Sequence, residues 1–271
     1  MTGMYDLQAL RRRIGALTVL EPENPEAVIT FGDETIDSAL PDHGLAPDAI
    51  HELLPTSHGD FTAALGFGLG LLTRLMRIRA GPVLWITPSR EASGHGIAYP
   101  AGLAAFGFDP SRLNYLAVEK AQDVLWALEE GLASAALASV IGILPANDKS
   151  YDFTASRRLS LRAASNGVTA FLIRHHASAD KPTAAATRWS IAARPSAPLW
   201  RHGLSMPGIG SPRWRVNLVR CKRGRPRDWP VEWDHETFSF RLVSPLADRT
   251  PAVAVPATTV QAAERQWRRA S

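Results

Sequence analysis

The sequence predicts an α/β fold: a mainly parallel, doubly wound sheet with helices on both faces. Three observations lead there. Short apolar runs of strand length, such as 83–87, 137–144 and 169–174, sit between Gly, Pro or polar turns. Stretches with apolar residues at spacings of three and four separate them. Strand and helix alternate along the chain, which gives right-handed parallel crossover units. At 271 residues, 45% of them hydrophobic, the chain is long enough to bury such a core.

Each element follows in order. Residues 5–20 read as a helix, with Leu7, Leu10, Ile14 and Leu17 on one side and Pro22 and Pro25 ending it. The run from Ile29 to Pro41 leads through a Gly/Pro turn to a short strand, Ala49 to Leu54, and then to a polar loop at 55–60. Phe61 to Arg79 is a helix despite Gly66, Gly68 and Gly70. Glycines cost roughly 1 kcal/mol each in a helix interior, so this helix is expected to lie close against a sheet. Val83 to Thr87 is a strand, 98–107 a helix and Leu113 to Val118 a strand. Gln122 to Ala133 is a helix with Val124, Leu125, Leu128 and Leu132 on one face, followed by the strand Leu137 to Leu144. Ala155 to Asn166 is a helix ended by Asn-Gly, and Thr169 to Arg174 is a strand.

After Ala177 the texture changes. Arg188 to Ala193 and Trp214 to Cys221 read as strands, Gly203 to Pro212 as a loop and Lys222 to Arg227 as a basic turn. Glu232 to Leu242 holds one further strand, 243–256 is a linker, and Thr258 to Arg269 is a short terminal helix. The organisation is an N-terminal helix at 1–25, a core at 26–200, a basic β-hairpin extension at 201–242, and a linker with a tail helix at 243–271.

Composition excludes several classes. Cys221 is the single cysteine, so no disulfide forms within the chain and a reducing cytoplasm is expected. No run of about 18 apolar residues predicts a membrane span, and the first thirteen residues lack the pattern of a secretory signal. Residues 1–187 hold 15 Lys/Arg against 20 Asp/Glu, whereas 188–271 hold 15 against 6. A basic C-terminal third on a slightly acidic core points to an anionic partner, nucleic acid or an acidic protein face.

In a doubly wound sheet a ligand sits at the carboxyl ends of the strands. A phosphate-binding loop there needs glycines, a Lys for the β/γ-phosphates and a Ser/Thr for Mg²⁺. The stretch present is Leu54-Pro-Thr-Ser-His-Gly-Asp-Phe-Thr62. With Gly59 as the second glycine, Leu54 replaces the first, Asp60 the Lys and Phe61 the Ser/Thr, and Thr62 stands one place late. An Asp in place of the Lys repels a triphosphate. The strand 139–145 also lacks a terminal Asp to hold Mg²⁺, the nearest carboxylate being Asp148. Neither nucleotide hydrolysis nor a bound cofactor is expected, and His43, His51, His58 and His95 are too scattered to suggest a metal site.

With those positions read, a resemblance can be stated. Phe31-Gly32, Ile36-Asp37, Leu40-Pro41, Gly44-Leu45 and Ile50-His-Glu52 resemble the run that leads into the nucleotide loop of RecA. The chain is more similar to the ImuA family. That similarity rests on His51-Glu52-Leu53, Trp85-Ile86-Thr87-Pro88, Trp126-Ala127-Leu128-Glu129, Thr187-Arg188-Trp189, the basic run from Trp214 to Pro226, and Val231-Glu-Trp-Asp234. It spans roughly residues 5–242 and implies a RecA-like core with a degenerate nucleotide loop. It also implies a non-catalytic adaptor of SOS-induced, error-prone translesion synthesis. The implied partners are an ImuB-like Y-family polymerase homologue and an error-prone replicative-type polymerase, with RecA and single-stranded DNA as further contacts. A SulA-type inhibitor of cell division and a weak ATP-dependent switch are the alternatives.

Individual residues carry two readings each. Glu52 ends the first core strand; a structural hydrogen bond is the plainer role and a catalytic base the sharper one. His175 and His176 are a surface pair, or His175 stands where RecA carries a polar sensor. Arg213, Arg215, Arg220, Lys222, Arg223, Arg225 and Arg227 either grip phosphates, with Trp214 or Trp229 stacking on bases, or form a solvated basic turn over core tryptophans. Trp189, Trp214 and Trp233 suit core positions. In the tail, Val260, Arg265, Trp267, Arg268 and Arg269 suit helix-in-groove docking onto a partner.

Overall fold

A computed structural model describes residues 7–19, 24, 27–89, 98–144, 150–174, 180–199 and 208–243. Its centre is one nine-stranded sheet in the order β3-β2-β4-β5-β1-β6-β7-β8-β9. The strands are β1 (Ile50–Pro55), β2 (Val83–Pro88), β3 (Leu113–Val118), β4 (Ser139–Leu144), β5 (Thr169–Arg174), β6 (Thr187–Arg194), β7 (Arg213–Cys221), β8 (Arg227–Asp234) and β9 (Ser239–Leu242). From β3 to β6 every pairing is parallel, and from β6 to β9 every pairing is antiparallel. The sheet is thus the mainly parallel, RecA-like core expected from the sequence, with the C-terminal hairpin added to its edge. β1, β2, β4 and β5 are buried at every position, as central strands covered on both faces must be.

The helices divide between the faces. Helix α1 (Leu7–Gly15), α5 (Ala121–Leu132) and α6 (Phe153–Asn166) cover one face, where Leu10, Val124, Leu128 and Leu159 pack with Ile86, Val140 and Leu172. The long helix α3 (Phe61–Leu75) and the short α4 (Pro100–Ala105) cover the other. A further turn of helix, α2 (Glu34–Asp37), precedes β1. Local chemistry sets the ends of α6. Asp152 accepts from the Ala155 N–H at 2.7 Å, and Gly167 closes the helix at φ +68°, a conformation that favours glycine. The N-terminal helix packs on its own domain: Arg11 pairs with Glu130 at 2.8 Å and lies 4.9 Å from the Trp126 ring centroid.

The glycines of α3 meet the expectation of close packing. A Cβ on Gly68 would lie 2.7 Å from Leu53 of β1, and one on Gly70 would lie 2.5 Å from the Phe240 ring of β9 and 3.0 Å from Trp233. The helix therefore crosses the sheet from the parallel half to the antiparallel half. Beneath it lies an aromatic cluster in which Phe31, Phe67, Trp189 and Phe240 have neighbouring ring centroids 5.1–6.1 Å apart. The helix ends at Leu75 rather than Arg79, because Met76, Arg77 and Ile78 close a turn onto its last carbonyls.

One correction concerns the C-terminal extension. The sequence suggested a basic hairpin and a single later strand within 232–242. The structure has two strands there, β8 starting at Arg227 and β9 at Ser239, and all of it continues the one sheet. Pro230 and the charges around it hide β8 from a local pattern. In the sheet Pro230 has only a carbonyl to offer, and that accepts from the Val243 N–H at 2.9 Å. The linker from 244 onward and the tail candidates Val260, Arg265, Trp267, Arg268 and Arg269 lie outside the described residues, as do His175, His176 and Asp148.

Candidate functional site

The loop after β1 lies at the carboxyl end of the parallel strands, the place where such sheets bind ligands. Leu54 is buried, Thr56 to Gly59 are exposed, and His58–Asp60 form a single 3₁₀ turn that runs into α3. Phe61, at the position for a metal-binding hydroxyl, is buried in the core under α3. Thr62 is exposed.

Asp60 organises this loop. Its carboxylate accepts from the Thr56 hydroxyl at 2.5 Å, the Ser57 hydroxyl at 2.7 Å and the Ala193 N–H of β6 at 2.8 Å. Burial alone would raise its pKa, but these hydrogen bonds outweigh it and hold the carboxyl below its ordinary value. The Thr56 and Ser57 hydroxyls, two donors of this loop, are thus already turned onto an anion of the protein itself. The Thr56 N–H donates to the Ile191 carbonyl at 2.9 Å and completes the closure. Leu54, Gly59, Asp60, Phe61 and Thr62 come together as one self-satisfied turn. Strand β4 contains no carboxylate to the end of its described residues.

Glu52 belongs to a different arrangement. It is fully buried on the α6 face and takes part in a network that the sequence did not reveal. It accepts from Arg188 Nε at 2.5 Å, the Tyr151 hydroxyl at 2.7 Å and the Thr183 hydroxyl at 2.6 Å, with Arg174 at 4.0 Å. Arg174 lies 4.6 Å from the centroid of the Tyr151 ring, and Arg188 also donates to the Lys181 carbonyl at 2.5 Å. Burial, then the charge and hydrogen bond of Glu52, keep the Tyr151 hydroxyl protonated well above its usual range. With all its hydrogen bonds given to internal donors, Glu52 reads as a structural anion rather than a base. The one hint in the sequence was Arg188 lying between Thr187 and Trp189 in a strand whose first three residues are all buried.

His51 points to the opposite face and is equally buried. Its Nε2 donates to the Ala46 carbonyl at 2.9 Å, since a carbonyl only accepts. Its Nδ1 lies 2.8 Å from the Thr187 hydroxyl, which itself accepts from Trp189 Nε1 at 2.9 Å. Burial lowers its pKa from 6.5 to about 4 against the opposing pull of the Ala46 carbonyl, so the ring is neutral near pH 7. Among the described residues no group of three His, Cys, Asp or Glu side chains could hold a metal ion. None of the described helices is long and apolar enough to cross a membrane.

The seven basic candidates of the extension separate into two sets. Arg213 pairs with Glu232, Arg223 with Asp42, and Arg215 with Asp228 at 2.6 Å. Arg220, Lys222, Arg225 and Arg227 are exposed and form no ion pair among the described residues. These four cluster at the β7–β8 turn. The turn is fixed to the start of β6 by the Lys222 N–H, which donates to the Ala186 carbonyl at 2.9 Å. Since β6 runs parallel to β1, the basic turn sits at the amino end of the parallel strands, opposite the loop of Asp60. Trp214 and Trp229 do not face solvent. Inward positions alternate along β7 and β8, and both rings, like Trp189 and Trp233, are buried under α3. The idea of tryptophans stacking on bases there is therefore corrected by the pleat.

No family model matches the chain. A curated protein does: the chain is 32% identical over 244 residues to "Protein ImuA" of Caulobacter vibrioides, covering 85% of this chain and 94% of that protein, in each of two strains.

Proposed function

From its membership of the ImuA family, to which this chain belongs, we propose that it acts in damage-induced mutagenesis as a non-catalytic adaptor of error-prone translesion synthesis. In this reading it binds an ImuB-type polymerase homologue and brings it to an error-prone polymerase and to RecA. The observation that carries the non-catalytic part is Asp60. A carboxylate stands where a nucleotide site needs a lysine, and it takes up the hydroxyls of Thr56 and Ser57 and the N–H of Ala193. A triphosphate would have to displace this anion with no lysine to replace it. Phe61 in the core and the lack of a carboxylate among the described residues of β4 leave the two usual Mg²⁺-binding positions without their ligand, which supports the same reading.

Two measurements test this. Titration calorimetry with ATP and Mg²⁺ is expected to give no heat of binding at micromolar concentrations; a micromolar affinity would overturn the non-catalytic reading. Co-purification with the ImuB-type partner is expected for the full chain and is expected to weaken when residues 257–271 are removed. Unchanged binding after that deletion would remove the tail from the interface. No binding by the full chain would end the adaptor proposal.

A further inference from the structure

We propose that the β7–β8 turn is a nucleic-acid contact that grips phosphates alone, through Arg220, Lys222, Arg225 and Arg227, without reading or stacking on bases. The inference extends the adaptor reading and is tested apart from it, on the purified chain.

The first observation is charge. Three of the seven basic candidates of this extension are neutralised by Glu232, Asp228 and Asp42. Four are not, and those four are exposed and fall within the eight residues 220–227 of the β7–β8 turn. Unpaired like charges at close range repel one another, so their gathering is unfavourable until an anion arrives. The second is mounting. The tip is held by the Lys222 N–H on Ala186, by the Arg223–Asp42 pair, and by contact of Gly224 with Pro41, where an added Cβ would lie 3.2 Å from the ring. Cations on a fixed turn lose less freedom on meeting phosphates than cations on a free tail.

The third observation selects the partner. A protein interface needs apolar or aromatic anchors at its centre. Among the described residues, none of the exposed large hydrophobic residues, Val19, Tyr99, Phe153, Leu161, Leu199 and Ile209, belongs to the tip segment 219–228 itself. Its own tryptophans face the core. A pocket lined by Pro41, Leu45, Ala46, Ala49 and Cys221 adjoins Lys222 and Arg223, but the tip's own side chains offer positive charge without a large apolar anchor, which suits a phosphate backbone and gives single strands no stacking advantage.

The magnitude follows from four contacts. The logarithm of affinity for duplex DNA falls with the logarithm of salt at a slope of about −0.9 per neutralised phosphate, so four give about −3.6. Raising salt from 50 to 200 mM then weakens binding about 150-fold for a duplex, and about 50-fold for a single strand at −0.7 per phosphate. The experiment measures fluorescence anisotropy with a 20-base-pair duplex, the same single strand and an abasic strand of equal length. The expected result is the full salt slope, no preference for the single strand, and an abasic strand bound as tightly as the normal one. Replacing all four residues with Ala should flatten the slope, whereas Arg220→Lys, Arg225→Lys and Arg227→Lys together should keep it. The neutral deletion Arg215→Ala with Asp228→Ala should leave affinity within about twofold. Equal thermal melting of the variants shows that they fold. Absence of binding at 50 mM salt, a slope unchanged by the four alanines, or tenfold loss on the abasic strand would each overturn the proposal. So would loss of the ImuB-type partner by the Ala variant with DNA binding intact, which would make the tip a protein contact.

Discussion

Replacing Glu52 with Ala should be among the most damaging single changes in this chain, through stability alone. Glu52 and Arg188 are both buried, with 0% and 1% exposure, and their atoms meet at 2.5 Å. Removing the carboxylate leaves the guanidinium of Arg188 in the interior without its counter-charge. It also strips acceptors from the Tyr151 and Thr183 hydroxyls. Breaking one side of a buried ion pair costs about 3–5 kcal/mol, and two lost hydrogen bonds to a charged group, at about 1.5–3 kcal/mol each, place the loss at or above the upper end. A typical domain has about 5–15 kcal/mol in all, so the variant should be largely unfolded or close to it. The partner experiment separates charge from packing. Arg188→Met combined with Glu52→Leu removes both charges and keeps the volume, and should recover about 2 kcal/mol or more relative to Glu52→Ala. Urea denaturation followed by circular dichroism reads both, with the midpoint shifting at constant slope. A loss under about 1 kcal/mol for Glu52→Ala, or a double variant as unstable as the two single losses added, would refute the assignment of Glu52 as the anchor of Arg188.

Three further expectations can be checked in the same way. His51 stays neutral in the fold down to about pH 4, while the unfolded chain binds its proton near 6.5. Its contribution is therefore intact above pH 6.5 and lost as the pH falls from 6.5 towards 4, by up to about 3 kcal/mol; His51→Gln should flatten that acid limb in denaturation curves. Gly70→Ala gains up to about 1 kcal/mol of helix propensity. It also forces a methyl to 2.5 Å from Phe240, so a net loss of about 1–3 kcal/mol is expected in thermal melting. Asp60→Ala frees Thr56, Ser57 and the Ala193 N–H. It should cost about 1 kcal/mol in denaturation and still give no ATP binding by calorimetry, because no lysine takes its place.

How much of this was legible in the chain follows from how far each cause reaches along it. Strands Leu113–Val118, at the sheet edge, and Thr169–Arg174, buried throughout, were placed to the residue, because a short, largely apolar run between turn signals is defined by its neighbours. The departure from a phosphate-loop pattern is likewise a local feature: Leu54, Asp60 and Phe61 stand at fixed spacing from Gly59. The glycines of α3 announced close packing, although not that Leu53, Trp233 and Phe240 would supply it.

Other features had no local signal. Glu52 and Arg188 are 136 residues apart and become neighbours only because β6 adds to β1 in parallel register. The Asp60 loop closes on Ala193 through the same pairing, 133 residues away. Composition showed an excess of cations in the extension, but which of them are neutralised depends on Asp42, Asp228 and Glu232, brought in by strand pairing and by the turn before β1. The sequence by itself determined the α/β class, the strand–helix order of the parallel core and the departure from a phosphate-loop pattern, since these rest on periodicity and short-range spacing. Only the tertiary structure decided where the charges go. Pairing and desolvation depend on contacts between distant segments, and those set Glu52 and Asp60 to holding the fold and leave four cations of one turn facing solvent.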